Sequence, residues 1–161
     1  MTENKIMINR LLRTGILVAF VFGGCLAANA QSVSGSIANG SVTRGTPARA
    51  TVVLSIPGGL HVNSSRPSGE YMIPTSVRAS AHGLKIGAVT YPRGHDRKFD
   101  FSEHTINVYE GRTSFTFPVT VPESYRGTTV AVRVTVRFQA CTNEACFAPK
   151  TKNITLTARV R

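Results

Sequence analysis

The sequence has no tryptophan, only three cysteines and few acidic residues. Three cysteines cannot build the dense disulfide framework of a small secreted scaffold. Aromatic residues make up 7% and are not interleaved with basic ones, so we expect no nucleic-acid partner despite a formal net charge of +11. A hydrophobic fraction of 42% argues against a disordered chain, and 161 residues suffice for one domain. We interpret the basic excess as a solvated surface, with an acidic partner or a membrane surface as alternatives.

No apolar run is long enough for a bilayer-spanning helix, which needs about 20 residues. The run from Gly15 to Leu26 has twelve residues, follows a positively charged start and precedes the small residues Ala28 and Ala30. This pattern predicts a signal peptide over residues 1–30, cleaved after Ala30, and hence a periplasmic or secreted protein. An uncleaved anchor, which would be the chain's only membrane attachment, is the alternative. Lipidation at Cys25 is a further alternative, although its preceding residues make a poor lipobox.

Helical periodicity is missing after residue 31, and a period of two replaces it. Apolar and polar residues alternate over 130–138, 153–160 and 115–121, and shorter candidates lie at 51–56, 84–91 and 106–108. Turn signals with Pro and Gly separate these runs. About seven short strands in such a chain indicate an all-β, immunoglobulin-like antiparallel sandwich. Residues 31–47 are rich in Ser, Gly and Thr, and we expect a loose lead-in before a single domain at residues 48–161.

Two cysteines, Cys141 and Cys146, remain after the expected cleavage, which also lowers the net charge to +9 because three cations and one anion are lost. Export would place the pair where disulfides form and persist. If the alternation of residues 130–138 continues, Cys141 lies on the wet face with Arg133 and Arg137, which could supply positive potential. A bridge closing so short a loop stabilises by about 2 kcal/mol. A reactive pair and a local structural bridge both stay open on this evidence.

Other site chemistry finds little support. The four histidines have no ligand-like spacing, and structural zinc typically needs more than one cysteine pair, so we expect neither a metal nor a cofactor. No Ser-His-Asp arrangement or carboxylate pair can be assigned either.

Three stretches together resemble the N-terminal periplasmic domain of the disulfide reductase DsbD. The first comprises Phe138 to Cys141 and Cys146 to Pro149 around the cysteine loop. The second is residues 59–64 followed by residues 70–75, and the third runs from Tyr91 to Phe99, similar to the family's cap loop. The resemblance covers roughly residues 48–161 and implies an immunoglobulin-like domain whose cysteine pair cycles between dithiol and disulfide.

The resemblance also implies roles for single residues. Cys146 would be the nucleophile that forms mixed disulfides, and Cys141 the resolving thiol. Gln139 would shape the site, and Phe99 would be the aromatic cap over the sulfurs. Phe147 stands where the family has an aromatic or aliphatic residue.

Two kinds of departure from the family matter. His61 and Asn63 stand where some members have tyrosines, which puts pKa tuning there in doubt, and Ala148 replaces a common proline. The chain also ends without the reductase's membrane domain. The resemblance therefore implies a protein-disulfide reductase component that exchanges electrons with thioredoxin-like periplasmic thiol proteins and draws them from a separate membrane donor. The alternative is a redox-inert secreted binding or structural module with a local disulfide.

Overall fold

The computed structural model describes residues 31–69 and 71–161. The predicted signal peptide, its cleavage site and Cys25 lie outside these residues, so they stay predictions. Within the described part the secondary structure consists of strands and turns, with no helix. No helix that could cross a membrane occurs in that part. The strands are β1 (Ser32–Ile37), β2 (Ser41–Val42), β3 (Pro47–Ser55), β4 (His61–Asn63), β5 (Ser76–Ser80), β6 (Lys85–Ile86), β7 (His95–Arg97), β8 (Ile106–Tyr109), β9 (Arg112–Thr120), β10 (Thr129–Phe138), β11 (Ala140–Cys141) and β12 (Lys150–Val160).

Three four-stranded sheets carry the fold, in the orders β1-β3-β9-β6, β2-β12-β10-β5 and β11-β4-β8-β7. All neighbouring strands are antiparallel except β2 and β12. Apolar residues at alternate positions of β3, β9, β10 and β12 form one buried core between the first two sheets. Burial alternates residue by residue along β10, as expected when one face of a strand meets the core and the other meets water. The prediction of an all-β immunoglobulin-like sandwich is confirmed.

The third sheet is small and has a hydrophobic cluster of its own. Ile106 and Val108 of β8 are buried with Phe99, and Met72 and Phe101 pack against them from two loops. Val62 of β4 instead joins the main core. One face of the third sheet therefore packs against the main core of the sandwich, and loops cover its other face.

Residues 31–47 contradict the expectation of a loose lead-in. β1 lies along β3 in register from Ser32 to Ile37, and β2 pairs with the end of β12. Ile37 and Val42 are buried in the main core. Ser, Gly and Thr are frequent here because β1 is an edge strand with one exposed face, so its composition is that of a surface rather than of a linker.

The candidate strand at residues 84–91 is shorter than expected. Only Lys85 and Ile86 form a strand with β9, and Thr90 makes an isolated bridge to Thr116. Between these two pairings, the amide of Gly87 donates a hydrogen bond to the carbonyl of Pro118.

Candidate functional site

The cysteine loop begins where the chain leaves one sheet for another. β10 ends at Phe138 in the second sheet, and after Gln139 the chain enters β11, the edge strand of the third sheet. This switch interrupts the alternation on which the wet-face prediction for Cys141 depended. Cys141 is completely buried, with 0% exposure, whereas Arg133 and Arg137 are exposed on β10. The wet-face prediction was therefore wrong, and the argument for positive potential from these arginines falls with it.

Cys141 and Cys146 form a disulfide at the base of a tight hairpin, with Cα atoms 3.9 Å apart. The two residues face each other in an antiparallel bridge. Hydrogen bonds flank them on both sides: the amide of Thr142 donates to the carbonyl of Ala145, and the amide of Phe147 donates to that of Ala140, both at 2.8 Å. The cysteines thus occupy a non-hydrogen-bonded pair, the position at which opposed side chains come closest in an antiparallel ladder.

The turn of the hairpin, residues 142–145, is organised by one side chain. The hydroxyl of Thr142 accepts hydrogen bonds from the amides of Glu144 and Ala145, at 3.2 and 3.1 Å. This is the local side chain to backbone bonding by which threonine stabilises turns. Glu144 itself is exposed.

The two halves of the disulfide differ in exposure. Cys141 is fully buried, while Cys146 and every residue from Asn143 to Lys150 are exposed. Phe147, next to Cys146, is 50% exposed, which is unusual for a large apolar side chain. An incoming group can therefore approach the disulfide from the side of Cys146.

His61 lies directly across the sheet from Cys141. The two are register partners in the antiparallel pair of β4 and β11, so their side chains project from the same face. The imidazole, which is 2% exposed, stacks on Phe99 with ring centroids 3.9 Å apart and an interplanar angle of 13°. Phe101 lies beside this pair with its ring nearly parallel to both, 5.5 Å from Phe99 and 6.5 Å from His61. Phe99, the predicted cap, is thus itself buried and adjoins the disulfide strand through His61.

The electrostatics of His61 favour the neutral ring. Burial lowers the pKa of His61, the carboxylate of Glu110 opposes this shift, and Arg97 adds a smaller lowering effect. Glu110 is shared, because His95 and Arg97 contact the same oxygen at 2.8 and 3.2 Å. The Nε2 atom of His61 is buried and has no hydrogen-bond partner among the described residues.

Gln139 and Asn63 connect the hairpin to the third sheet. Nε2 of Gln139 donates to the carbonyl of Phe147 at 3.1 Å, and Oε1 of Gln139 accepts from Nδ2 of Asn63 at 3.3 Å. The same Nδ2 also donates to the carbonyl of Ile73 at 3.1 Å. Three separate segments therefore meet beside the cysteine hairpin, and the site roles of Gln139 and Asn63 stay predictions.

Sequence reasoning missed two parts of this arrangement. Phe101 belongs to the aromatic stack, and its spacing of two from Phe99 is the strand-like signal that could have indicated it. The group of His95, Arg97 and Glu110 near His61 had no such signal, because β7 and β8 are distant from β4 in sequence and meet only in the sheet.

Comparison with known proteins gives one family. The model of the N-terminal domain of the thiol:disulfide interchange protein DsbD matches residues 32–158. No curated protein sequence matches the chain.

Among solved structures, the chain is similar to the N-terminal periplasmic domain of ScsB from Proteus mirabilis, with 13% identity and a TM-score of 0.47 over 80% of this chain. The chain spans 45% of the length of that structure. It is also similar to the CssB subunit of enterotoxigenic Escherichia coli colonization factor CS6, with 18% identity and a TM-score of 0.40, covering 81% of this chain and 97% of that one.

Proposed function

This chain belongs to the family of the N-terminal domain of the thiol:disulfide interchange protein DsbD, and we propose that it exchanges disulfides with protein partners through Cys141 and Cys146. The observation that carries the proposal is the unequal burial of the pair, with Cys146 exposed and Cys141 buried. Exchange proceeds when a thiolate attacks one accessible sulfur of a disulfide. A bridge with one open and one covered sulfur directs that attack to Cys146.

The reaction has two steps. In the reduced protein the Cys146 thiolate attacks a sulfur of the partner disulfide, forming a mixed disulfide and releasing the partner's other sulfur as a thiolate. Cys141, deprotonated, then attacks Cys146, re-forms the internal disulfide and expels the second partner sulfur as a thiolate. Two electrons pass to the partner, whose thiolates take up two protons. The reverse sequence loads the pair from a donor dithiol.

The surrounding residues have supporting roles in this proposal. Gln139 donates to the carbonyl of Phe147 and is itself bonded by Asn63, which keeps the residue after Cys146 next to the third sheet. Phe147 offers an exposed apolar contact to a docking partner. Phe99 acts as the cap, because its ring lies on His61, the register partner of Cys141.

The proposed partners are thioredoxin-like thiol proteins of the periplasm. Family membership supports a thiol-protein partner in general. The signal-like residues 1–30 support export, with cleavage after Ala30 as part of the proposal.

Trapping of mixed disulfides tests the function. The full chain carrying Cys25→Ser and Cys141→Ser is expressed with its own leader, and periplasmic extracts are resolved on non-reducing gels. Without Cys141 the mixed disulfide cannot resolve, so we expect reducible adducts through Cys146. The matched control carries Cys25→Ser and Cys146→Ser, leaving only the buried Cys141, and should give at most a tenth as much adduct. Absence of adducts from both variants argues against exchange.

The reduction potential of the pair separates the exchanger from a redox-inert module. Equilibration with glutathione buffers should give a value near those of known exchangers, about −180 to −230 mV. A value well below about −300 mV would be that of a structural bridge. In that case the chain would be a binding or structural module with a local disulfide.

A further inference from the structure

His61 combines three properties that play no part in the two exchange steps at Cys141 and Cys146. It is the register partner of Cys141 on the neighbouring strand. Its ring is held by stacking on Phe99. Its Nε2 atom is buried and unpaired among the described residues while the cysteines are oxidised. A buried polar atom without a partner costs free energy, so a state that supplies a partner is favoured.

Reduction of the disulfide supplies such a partner. It converts Cys141 from a half-cystine without a proton into a thiol with an S–H group that can donate a hydrogen bond. Cys141 is buried on the same sheet face as His61, so this proton has no free access to bulk water. Resolution of the mixed disulfide needs Cys141 as a thiolate, and burial in apolar surroundings disfavours the thiolate. A neighbouring base is what the second step requires.

We propose that His61 is the general base of the resolving step, taking the Cys141 thiol proton on its imidazole as Cys141 attacks Cys146. The inference rests on the proposed function. The proton moves from the sulfur of Cys141 to the ring, the new bond forms between Cys141 and Cys146, and the bond from Cys146 to the partner sulfur breaks. The partner sulfur leaves with the electron pair as a thiolate, and the imidazolium returns its proton to that thiolate or to water.

The surroundings of His61 suit a base that works at neutral pH. Burial lowers the pKa of His61, so the ring is unprotonated and able to accept a proton. His61 also lines a surface groove together with Arg97, Glu110 and Asn143, so polar side chains adjoin the buried residue. The charged and titratable groups on the elements around His61 are His95, Asp96 and Arg97 of β7, Glu110 after β8, Lys98 and Asp100 beside Phe99, and Glu144 of the hairpin.

The test separates the two steps with oxidised glutathione as the probe disulfide. The full chain carrying Cys25→Ser is reduced, mixed with the probe, quenched in acid, and analysed by mass spectrometry for mixed disulfide and internal disulfide. His61→Phe keeps an aromatic ring for the stack and removes the nitrogen. At pH 7 we expect resolution to slow at least tenfold and the mixed disulfide to accumulate. Formation of the mixed disulfide, measured in a Cys141→Ser background, should change less than twofold.

The pH profile distinguishes a base from a packing residue. With His61 present, the resolution rate should level off above pH 6.5, where the ring is neutral. In His61→Phe it should rise about tenfold per pH unit up to the thiol pKa, because hydroxide then controls ionisation. A packing defect would lower the whole profile without changing its shape. His61→Gln should give the same sloping profile and replaces His61→Phe if that variant does not fold.

The outcomes are distinct. Equal resolution rates and equal profiles in the parent and in the His61 variants overturn the role of His61 and leave exchange intact. Failure of the parent protein to form any mixed disulfide overturns the proposed function and the inference together. His82→Phe, a change at an exposed histidine, serves as the matched control and should behave like the parent.

Discussion

At the scale of residues, the feature that distinguishes the site is the buried imidazole of His61. His61 stacks on Phe99, is the register partner of Cys141, and has an Nε2 atom without a hydrogen-bond partner among the described residues. Such a site favours the uncharged ring, because charge is costly to bury and Glu110 compensates only in part. The protonation of His61 is therefore coupled to folding as well as to the cysteines.

This coupling predicts how stability depends on pH. The pKa of folded His61 lies below the ordinary 6.5, so between that lowered value and 6.5 the unfolded chain binds more protons than the folded one. The free energy of unfolding then rises with pH in this window. The contribution is complete above pH 6.5 and is lost as the pH falls through the folded pKa. Urea unfolding from pH 5 to 8 should show this slope, and His61→Phe should remove it. The same slope in His61→Phe, or its loss in His82→Asn, would contradict the assignment.

Phe99 is the second residue whose role can be isolated. It is 3% exposed, stacks on His61 and lies 5.5 Å from the nearly parallel ring of Phe101. Phe99→Ala should lower the free energy of unfolding by about 3 kcal/mol, as for other buried phenylalanines. If the ring is a cap, dithiothreitol should also reduce the disulfide severalfold faster, which stopped-flow thiol assays would measure. Phe147→Ala, at an exposed position, should cost less than about 0.5 kcal/mol. An unchanged reduction rate in Phe99→Ala would leave it a packing residue only.

At the scale of elements, the site depends on where strands start and stop. β10 belongs to the main sandwich up to Phe138, and β11 belongs to the third sheet from Ala140. The single residue between them, Gln139, ties the hairpin to β4 through Asn63. The disulfide therefore joins a short edge strand, β11, to the returning arm of the hairpin.

The Ser-, Gly- and Thr-rich composition around β1 suggested a loose segment rather than a strand. A substitution at Gly35 tests how tightly β1 packs. A methyl group there would meet the carbonyl oxygen of Thr51 closer than van der Waals contact and Cδ2 of Leu156 at 3.0 Å. Gly35→Ala should lower the free energy of unfolding by about 1–3 kcal/mol, the usual cost of overpacking. Gly58→Ala meets nothing within 4 Å and should be nearly neutral. Urea unfolding would measure both, and a neutral Gly35→Ala would contradict the tight packing of β1 against β3 and Leu156 at this position.

For the whole molecule, the core rather than the disulfide holds the fold. The main cluster joins buried residues from both large sheets, and Cys141 is outside it. The bridge closes a ring between residues only five positions apart, so it restricts the unfolded chain little.

Reduction should therefore leave the protein folded. We expect dithiothreitol to lower the free energy of unfolding by about 2 kcal/mol and to leave the far-ultraviolet circular dichroism unchanged. Cys141→Ser combined with Cys146→Ser should behave similarly, since the same cross-link is lost. Unfolding on reduction at 25 °C would identify the bridge as a structural staple and would favour the redox-inert module.

The sequence by itself determined the all-β sandwich class and drew attention to the cysteine pair, whereas it indicated about seven strands and the described residues form twelve. Alternation along β10 and β12 could be detected locally, because each strand has one face in the core and one in water. The cysteine pair was evident from its spacing and from the motifs around it. The family resemblance also pointed to Gln139, Asn63 and His61 before their contacts were known.

Only the tertiary structure decided which cysteine is covered, what His61 faces and that residues 31–47 are part of the sheets. Extending the alternation of β10 to Cys141 predicted an exposed side chain, which was wrong because the chain passes from the second sheet to the third at Gln139. The alternation of one strand does not continue into a strand of another sheet. His61 meets Cys141 through a strand pairing between residues 80 positions apart. Local periodicity reports burial within one strand, whereas pairing between distant strands depends on the packing of the whole chain.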